Sequence, residues 1–267
     1  MIRVCNINLY PDHFPDNTLL LKLSDKIIEA CETADRIVID WLYSNDAELF
    51  TLICVKRYID EHFFNCRVYL CVPYVPHARM DRVKNDEDVF TLKYFCEVIN
   101  SLHFDGVLVR DAHSNVSLAL LNNVVEEPVK PFILESINQS GADALFFPDE
   151  GAMKRYSSMF NMPYAFGMKK RDWETGQILG LDIINEDNIK NKNVLIVDDI
   201  CSKGGTFYHS AKALKAAGAK NISLYITHCE DTIAWGDLPD SGLIDQVYTT
   251  KSIAPDYFTG GWITILE

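Results

Sequence analysis

VLIVDDICSKGGTF, residues 194–207, runs from four apolar residues into two adjacent aspartates and then into a loop with two glycines and a threonine. A short apolar run closed by turn residues is the pattern of a buried strand. Carboxylates at the end of such a strand accept hydrogen bonds from vicinal sugar hydroxyls, directly or through Mg²⁺. Gly204 and Gly205 let backbone N–H groups approach an anion with no Cβ in the way. Thr206 stands where it can cap the next helix and bind a phosphate oxygen. A strand cap and a glycine turn explain any one of these features. All of them together describe a sugar-phosphate site.

Outward from this stretch the chain alternates β-rich runs with helical patterns. Residues 35–42 (DRIVIDWL), 67–75 (RVYLCVPYV, broken by proline) and 106–114 (GVLVRDAHS) read as strands. Between them, 46–63 and 88–102 carry apolar residues three and four apart, the helical spacing. The second half repeats the logic. Residues 143–151 are strand then loop, 193–206 strand then loop, and 206–219 helix, with further strands at 222–229 and 243–253. Strand–helix alternation at this spacing predicts parallel sheets with helices on both faces. Ligands of such sheets gather beyond the C-terminal ends of the strands, and the polar clusters fall there. The polar, glycine-containing stretch 135–143 is the expected passage between two similar halves, 1–135 and 136–267.

Composition narrows the chemistry. Thirty-eight acidic against 25 basic residues give a formal charge of −13. That balance argues against broad nucleic-acid or anionic-membrane binding and requires any phosphate site to concentrate its cations locally. Cations do cluster, in HARMDRVK (77–84) and MKKR (168–171). No apolar run approaches the ~18 residues of a membrane span, and the N-terminus lacks the pattern of a secretory signal. The eight cysteines sit mostly within apolar segments, with no C-x-x-C pair. They read as free thiols in a reducing cytoplasm.

With these residues in hand, VLIVDDICSKGGT resembles the phosphoribosyl-diphosphate-binding motif of the phosphoribosyltransferase fold. Three further segments resemble the ribose-phosphate diphosphokinases, the phosphoribosyl-diphosphate synthetases. Residues 73–93, PYVPHARMDRVKNDEDVFTLK, resemble that family's ATP-binding segment. Ala78, Arg79, Asp81 and Arg82 match it, and Met80 replaces the usual glutamine. VRDAHS (109–114) resembles the family's Asp-x-His strand end, which makes His113 a candidate for ATP contact and for Mg²⁺. FFPDEGA (146–152) resembles its Ser-Pro-Asp-x-Gly-Gly turn, with Asp149 as the second metal-linked acid. MKKR resembles the catalytic flexible loop, where Lys169 and Arg171 take the Lys-x-Arg positions and Lys170 is the offset alternative. FPDNT (14–18) partly resembles the adenine-contacting element through Phe14 and Asp16, an element that in the family reaches a neighbouring subunit.

The resemblance implies an α/β protein of two phosphoribosyltransferase-like domains, each a mainly parallel sheet flanked by helices. It implies a cytoplasmic homo-oligomer using ATP and Mg²⁺, with the ATP-binding half N-terminal. Asp198 and Asp199 would hold ribose hydroxyls, and Ser202, Lys203, Gly204, Gly205 and Thr206 the acceptor phosphate. The chain departs from the pattern in short termini, like a phage-type member, and in Lys203, which stands where the family places a small hydroxyl. Two acceptors stay open: ribose 5-phosphate, and ADP-ribose, which some phage-type members use for NAD rebuilding. More distant alternatives are a base phosphoribosyltransferase, which needs 194–206 but neither HARMDR nor DAH, and a non-catalytic regulatory homologue.

Overall fold

The computed structural model describes residues 1–171, 178–254, 258 and 261–267, with side chains described outside 169–180. Two compact units divide the chain, Met1–Pro128 and Val129–Glu267. The stretch expected to be a passage, 135–143, belongs largely to a helix, Lys130–Ser140, whose Ile133 and Ile137 pack into the second unit's core. The division therefore precedes this helix instead of falling within it.

The first unit contains β1 (Ile2–Val4), β2 (Ile7–Asn8), β3 (Asp12–His13), β4 (Leu19–Leu20), α1 (Asp25–Thr33), β5 (Arg36–Trp41), α2 (Ala47–His62), β6 (Arg67–Cys71), α3 (Thr91–Ser101), β7 (Gly106–Arg110), α4 (Asn115–Leu120) and β8 (Val124–Glu127). Its main sheet has the order β2-β1-β5-β6-β7-β8. Strands β5 to β8 are mutually parallel, and β1 lies antiparallel to β5. The four opening strands, two or three residues each, are too short to show a period in the sequence.

Burial along β5 alternates. Ile37, Ile39 and Trp41 are fully buried, whereas Val38 and Asp40 are half-buried. Helices α1, α2 and α3 bury Ile27, Leu52, Val55, Ile59, Leu92, Phe95 and Ile99 in the same cluster as these strand residues. The mainly parallel sheet is flanked by helices, as expected, and its burial is uneven. One face carries the core, and the alternate residues Arg3, Asp40, Cys71 and Arg110 remain half-buried on the other. Burial pushes the Asp40 carboxyl up; Arg3, 3.6 Å away, and the Cys71 thiol oppose that shift.

The second unit contains α5 (Lys130–Ser140), β9 (Ala144–Phe147), α6 (Glu150–Tyr156), β10 (Tyr164–Arg171), β11 (Ile178–Ile184), β12 (Asn193–Cys201), α7 (Gly205–Ala216), β13 (Asn221–Cys229), β14 (Gln246–Thr250) and β15 (Ile263–Leu266). Among the described residues the sheet order is β11-β10-β9-β12-β13-β14-β15. Every pairing is parallel except that of β10 with β11. Here both faces are covered, and the run Val194–Val197 shows why. Val194 and Ile196 pack with Ala211 and Leu214 of α7, while Leu195 and Val197 pack with Ile133 of α5 and Tyr156 of α6. Full burial of each such aliphatic side chain stabilises the fold by ~1.5–3 kcal/mol. A strand buried on both faces has no polar alternation to show, which is how VLIV reads.

Candidate active site

In the second unit, β12 does not stop at its aspartates. It continues through Asp198 and Asp199 to Cys201, which pairs in register with Cys229 of β13. Neighbouring strand residues face opposite sides, so the two carboxylates part company. Asp199 is buried, and its Oδ2 lies 2.9 Å from Nη1 of Arg155, in the last turn of α6. Asp198 is half-buried, and its Oδ1 accepts the backbone N–H of Asp199 at 3.0 Å. One acid is thus held by a cation from a helix, and the other sits nearer to solvent.

The loop that follows is fastened to the end of β13. The Glu230 N–H donates to the Cys201 carbonyl at 2.9 Å. Ser202 Oγ donates to Glu230 Oε2 at 2.7 Å, and Thr232 Oγ1 donates to the same oxygen at 3.2 Å. At Gly236 a Cβ would come within 1.8 Å of the Lys203 carbonyl oxygen, so glycine alone permits this contact. Gly204 caps α7 in the left-handed region, φ +79°, with Leu238 packed against it. Lys203, Gly205 and Thr206 are exposed. The expectation that Thr206 caps α7 is corrected: Gly204 is the cap, no side chain bonds there, and Thr206 lies inside the first turn. First-turn N–H groups have no intrahelical acceptor, and α7 is twelve residues long, so an anion facing Gly205 and Thr206 meets free donors and a helix dipole. Below the loop, a hydrogen bond with Cys229, then burial, pushes the Cys201 thiol far up, so it stays protonated and is no nucleophile.

Asp149 is exposed and serves as N-cap of α6, its Oδ1 accepting the Ala152 N–H at 3.0 Å. Its other oxygen is not needed for that cap. The same short helix is therefore capped by Asp149 and carries the partner of Asp199 in its last turn. The backbone of Met168–Arg171, expected as a loop, is the end of β10, and Lys169 and Lys170 pair with Leu181 and Gly180 of β11. The side chains of Lys169, Lys170 and Arg171, and all of 172–177, lie outside the described residues.

In the first unit the structure joins two of the predicted segments. Asp81 binds Nε of Arg82 at 2.9 Å and is hydrogen-bonded by the Ser114 hydroxyl, with His113 also acting on its charge. Burial raises the Asp81 carboxyl, but the bond from Ser114, Arg82 and His113 together outweigh it and hold the group below the usual carboxylate range. Ser114 also caps α4 through the Val116 N–H, so HARMDR and DAHS share one hydroxyl. Buried Ala78 roots the turn, and Arg79 and Arg82 are exposed. Phe14 and Asp16 lie in the turn between β3 and β4. Asp16 accepts both the hydroxyl and the N–H of Thr18, which lower its carboxyl, and Phe14 is half-exposed. Among the described residues no three His, Cys, Asp or Glu side chains gather into a metal cage.

Arg155, Ser114, Glu230 and Gly236 were not singled out in the sequence. Only Arg155 had a signal, as a cation one helix away from acids in need of a counter-ion.

Residues 153–239, spanning Arg155, β12, the loop and α7, match the phosphoribosyl transferase domain model. Ribose-phosphate pyrophosphokinase of Sulfurisphaera tokodaii is 25% identical over 255 residues, 91% of this chain and 84% of that protein. Ribose-phosphate pyrophosphokinase of Pyrococcus furiosus is 27% identical over 248 residues, 90% of this chain and 84% of that protein. In fold, the chain resembles phosphoribosylpyrophosphate synthetase from Mycobacterium smegmatis, with a TM-score of 0.73, 16% identity, and coverage of 97% of this chain and 85% of that one. The domain model covers a third of the chain, but the two relatives extend over both units.

Proposed function

We propose that this chain, a relative of the ribose-phosphate pyrophosphokinases, moves the β,γ-diphosphate of ATP to the anomeric hydroxyl of ribose 5-phosphate. The anomeric oxygen bonds to the β-phosphorus, the bond from that phosphorus to the α-phosphate oxygen breaks, and AMP leaves. The observation that carries the reading is the cluster Asp81–Arg82–His113–Ser114 in a chain that also holds the sugar-phosphate loop. A base phosphoribosyltransferase needs only the loop.

Diphosphate transfer requires little covalent chemistry from the protein, chiefly alignment and neutralisation of charge. Asp198 takes ribose hydroxyls, with Asp199 beside it fixed by Arg155. The first turn of α7 and Lys203 take the acceptor phosphate. Arg79, Arg82 and His113 hold ATP in the first unit, while Lys169 and Arg171 stabilise the transferring group. Asp16 and Phe14 contribute to adenine recognition. The residues fit Mg²⁺ carried by ATP, an ion that keeps mostly water and phosphate oxygens and takes one or two protein ligands. His113 in the first unit and Asp149 in the second are each a candidate for such a ligand, and the ion would neutralise phosphate charge.

A second acceptor, ADP-ribose, is favoured by one observation. Lys203 is exposed at the loop, its carbonyl pinned by Gly236, and supplies a cation beyond what a monophosphate requires. Incubation with ATP, Mg²⁺ and each acceptor tests both readings. AMP is the expected nucleotide product; ADP with either acceptor would make the enzyme an ordinary kinase and sink the reading.

A further inference from the structure

We propose that Glu126 is a positioning residue for the turn that carries His113, acting through a bond to the backbone one residue before it. The inference rests on the reading of His113 as an ATP contact.

Strand β7 ends at Arg110, and the chain turns at once. Asp111 is buried in the left-handed region, φ +45°, a conformation that costs a non-glycine residue energy and needs support from its surroundings. The following Ala112 is buried too, so its N–H must find an acceptor. It finds a side chain: Oε1 of Glu126 at 2.9 Å. Glu126 and Glu127 are consecutive in β8, so they leave the strand on opposite faces. Glu127 accepts Nε and Nη2 of Arg110, each at 2.7 Å. The last residue of β7 and the second residue of its turn are therefore clasped by successive glutamates of the neighbouring strand, one on each face.

On the far side of His113, Ser114 is tied to Asp81 and to the Val116 N–H. His113 stands between two anchored residues, and the anchor on its N-terminal side is Glu126. As an exposed acid in VVEE, Glu126 would otherwise be a solvated charge; a solvated charge has no reason to satisfy a buried amide fourteen residues away.

The test compares Glu126→Ala, Glu126→Asp and Glu126→Gln with the parent protein. Gln retains an oxygen at the same reach, while Asp falls short by one methylene. Hydrogen exchange of the peptide spanning 108–116 reads the anchor itself, and affinity for α,β-methylene-ATP with Mg²⁺ reads its effect without turnover. We expect faster exchange and at least tenfold weaker nucleotide binding in the Ala and Asp variants, with recovery in Gln. The KM for ribose 5-phosphate should change less than twofold, and the melting temperature by only a few degrees. Unchanged exchange in Glu126→Ala, failure of Gln to recover, or an equal rise in both substrates' KM values would overturn the proposal. His113→Ala separates the premise from the proposal. If that variant binds the nucleotide as the parent does, the ATP reading of His113 fails, whatever the exchange at Ala112 shows.

Discussion

At Asp198 and Asp199, identical side chains in adjacent positions meet different surroundings. Asp199, paired with Arg155 at 2.9 Å and largely buried, is a fixed acceptor; Asp198, half-buried, is the acid proposed to take sugar hydroxyls. The cations carry two predictions. Lys169 was placed by its Lys-x-Arg spacing with Arg171, and a lysine that acts on the transferring group works mainly in the transition state. Lys169→Ala should lower kcat by ~100-fold or more with little change in nucleotide affinity, measured by AMP release and by binding of the methylene analogue. Full activity there, with loss in Lys170→Ala, would shift the register by one residue. Lys203 is exposed at the phosphate loop, and a charge-assisted bond to a phosphate is worth about 1.5–3 kcal/mol. If Lys203 meets the diphosphate of ADP-ribose, Lys203→Thr should lower kcat/KM for that acceptor relative to ribose 5-phosphate by about tenfold or more. An unchanged ratio would mean that Lys203 faces solvent in both complexes.

At the scale of elements, the loop after β12 owes its shape to the segment after β13. Glu230 holds Ser202, Leu238 packs on Gly204, and Gly236 presses against the Lys203 carbonyl. Overpacking of a tight contact costs about 1–3 kcal/mol. At Gly236 the neighbour is backbone of the phosphate loop, which can yield only by moving the site. Gly236→Ala should therefore lower stability by roughly that amount and raise the KM for the sugar-phosphate acceptor more than the KM for ATP. Denaturant melts and steady-state kinetics on the same preparation check it. A variant with normal kinetics would show that the segment and the loop move independently. In the first unit the corresponding device is the shared Ser114 hydroxyl, which couples the turn after β6 to the cap of α4.

For the whole molecule, two units with their own cores carry the two halves of the proposed chemistry. No helix among the described residues is long and apolar enough to cross a membrane. All eight cysteines are free thiols, four of them fully buried. A disulfide typically adds about 2–4 kcal/mol to stability. The melting temperature should therefore be the same with and without dithiothreitol, measured by scanning calorimetry. A fall of several degrees on reduction would reveal a covalent link that the folded chain does not contain.

What could be read from the amino-acid order alone was whatever depends on near neighbours. VLIV announced a strand covered on both faces, because four successive apolar residues cannot all hide on one side of a sheet. The helix at 206–219 and those at 46–63 and 88–102 followed from spacing, and the glycines from the backbone freedom that a phosphate loop demands. The opening strands, the hairpin of β10 and β11 and the helix Lys130–Ser140 escaped, being too short or too dependent on packing to leave a local period. The partners within the site escaped for a different reason. Arg155 finds Asp199 across 44 residues, Ser202 finds Glu230 across 28, and Ala112 finds Glu126 across 14. Alternation along a strand dictates which face a side chain leaves from, but the atom it meets there is set by which strand or helix lies alongside. That choice belongs to sheet order and helix packing, and the tertiary structure alone makes it.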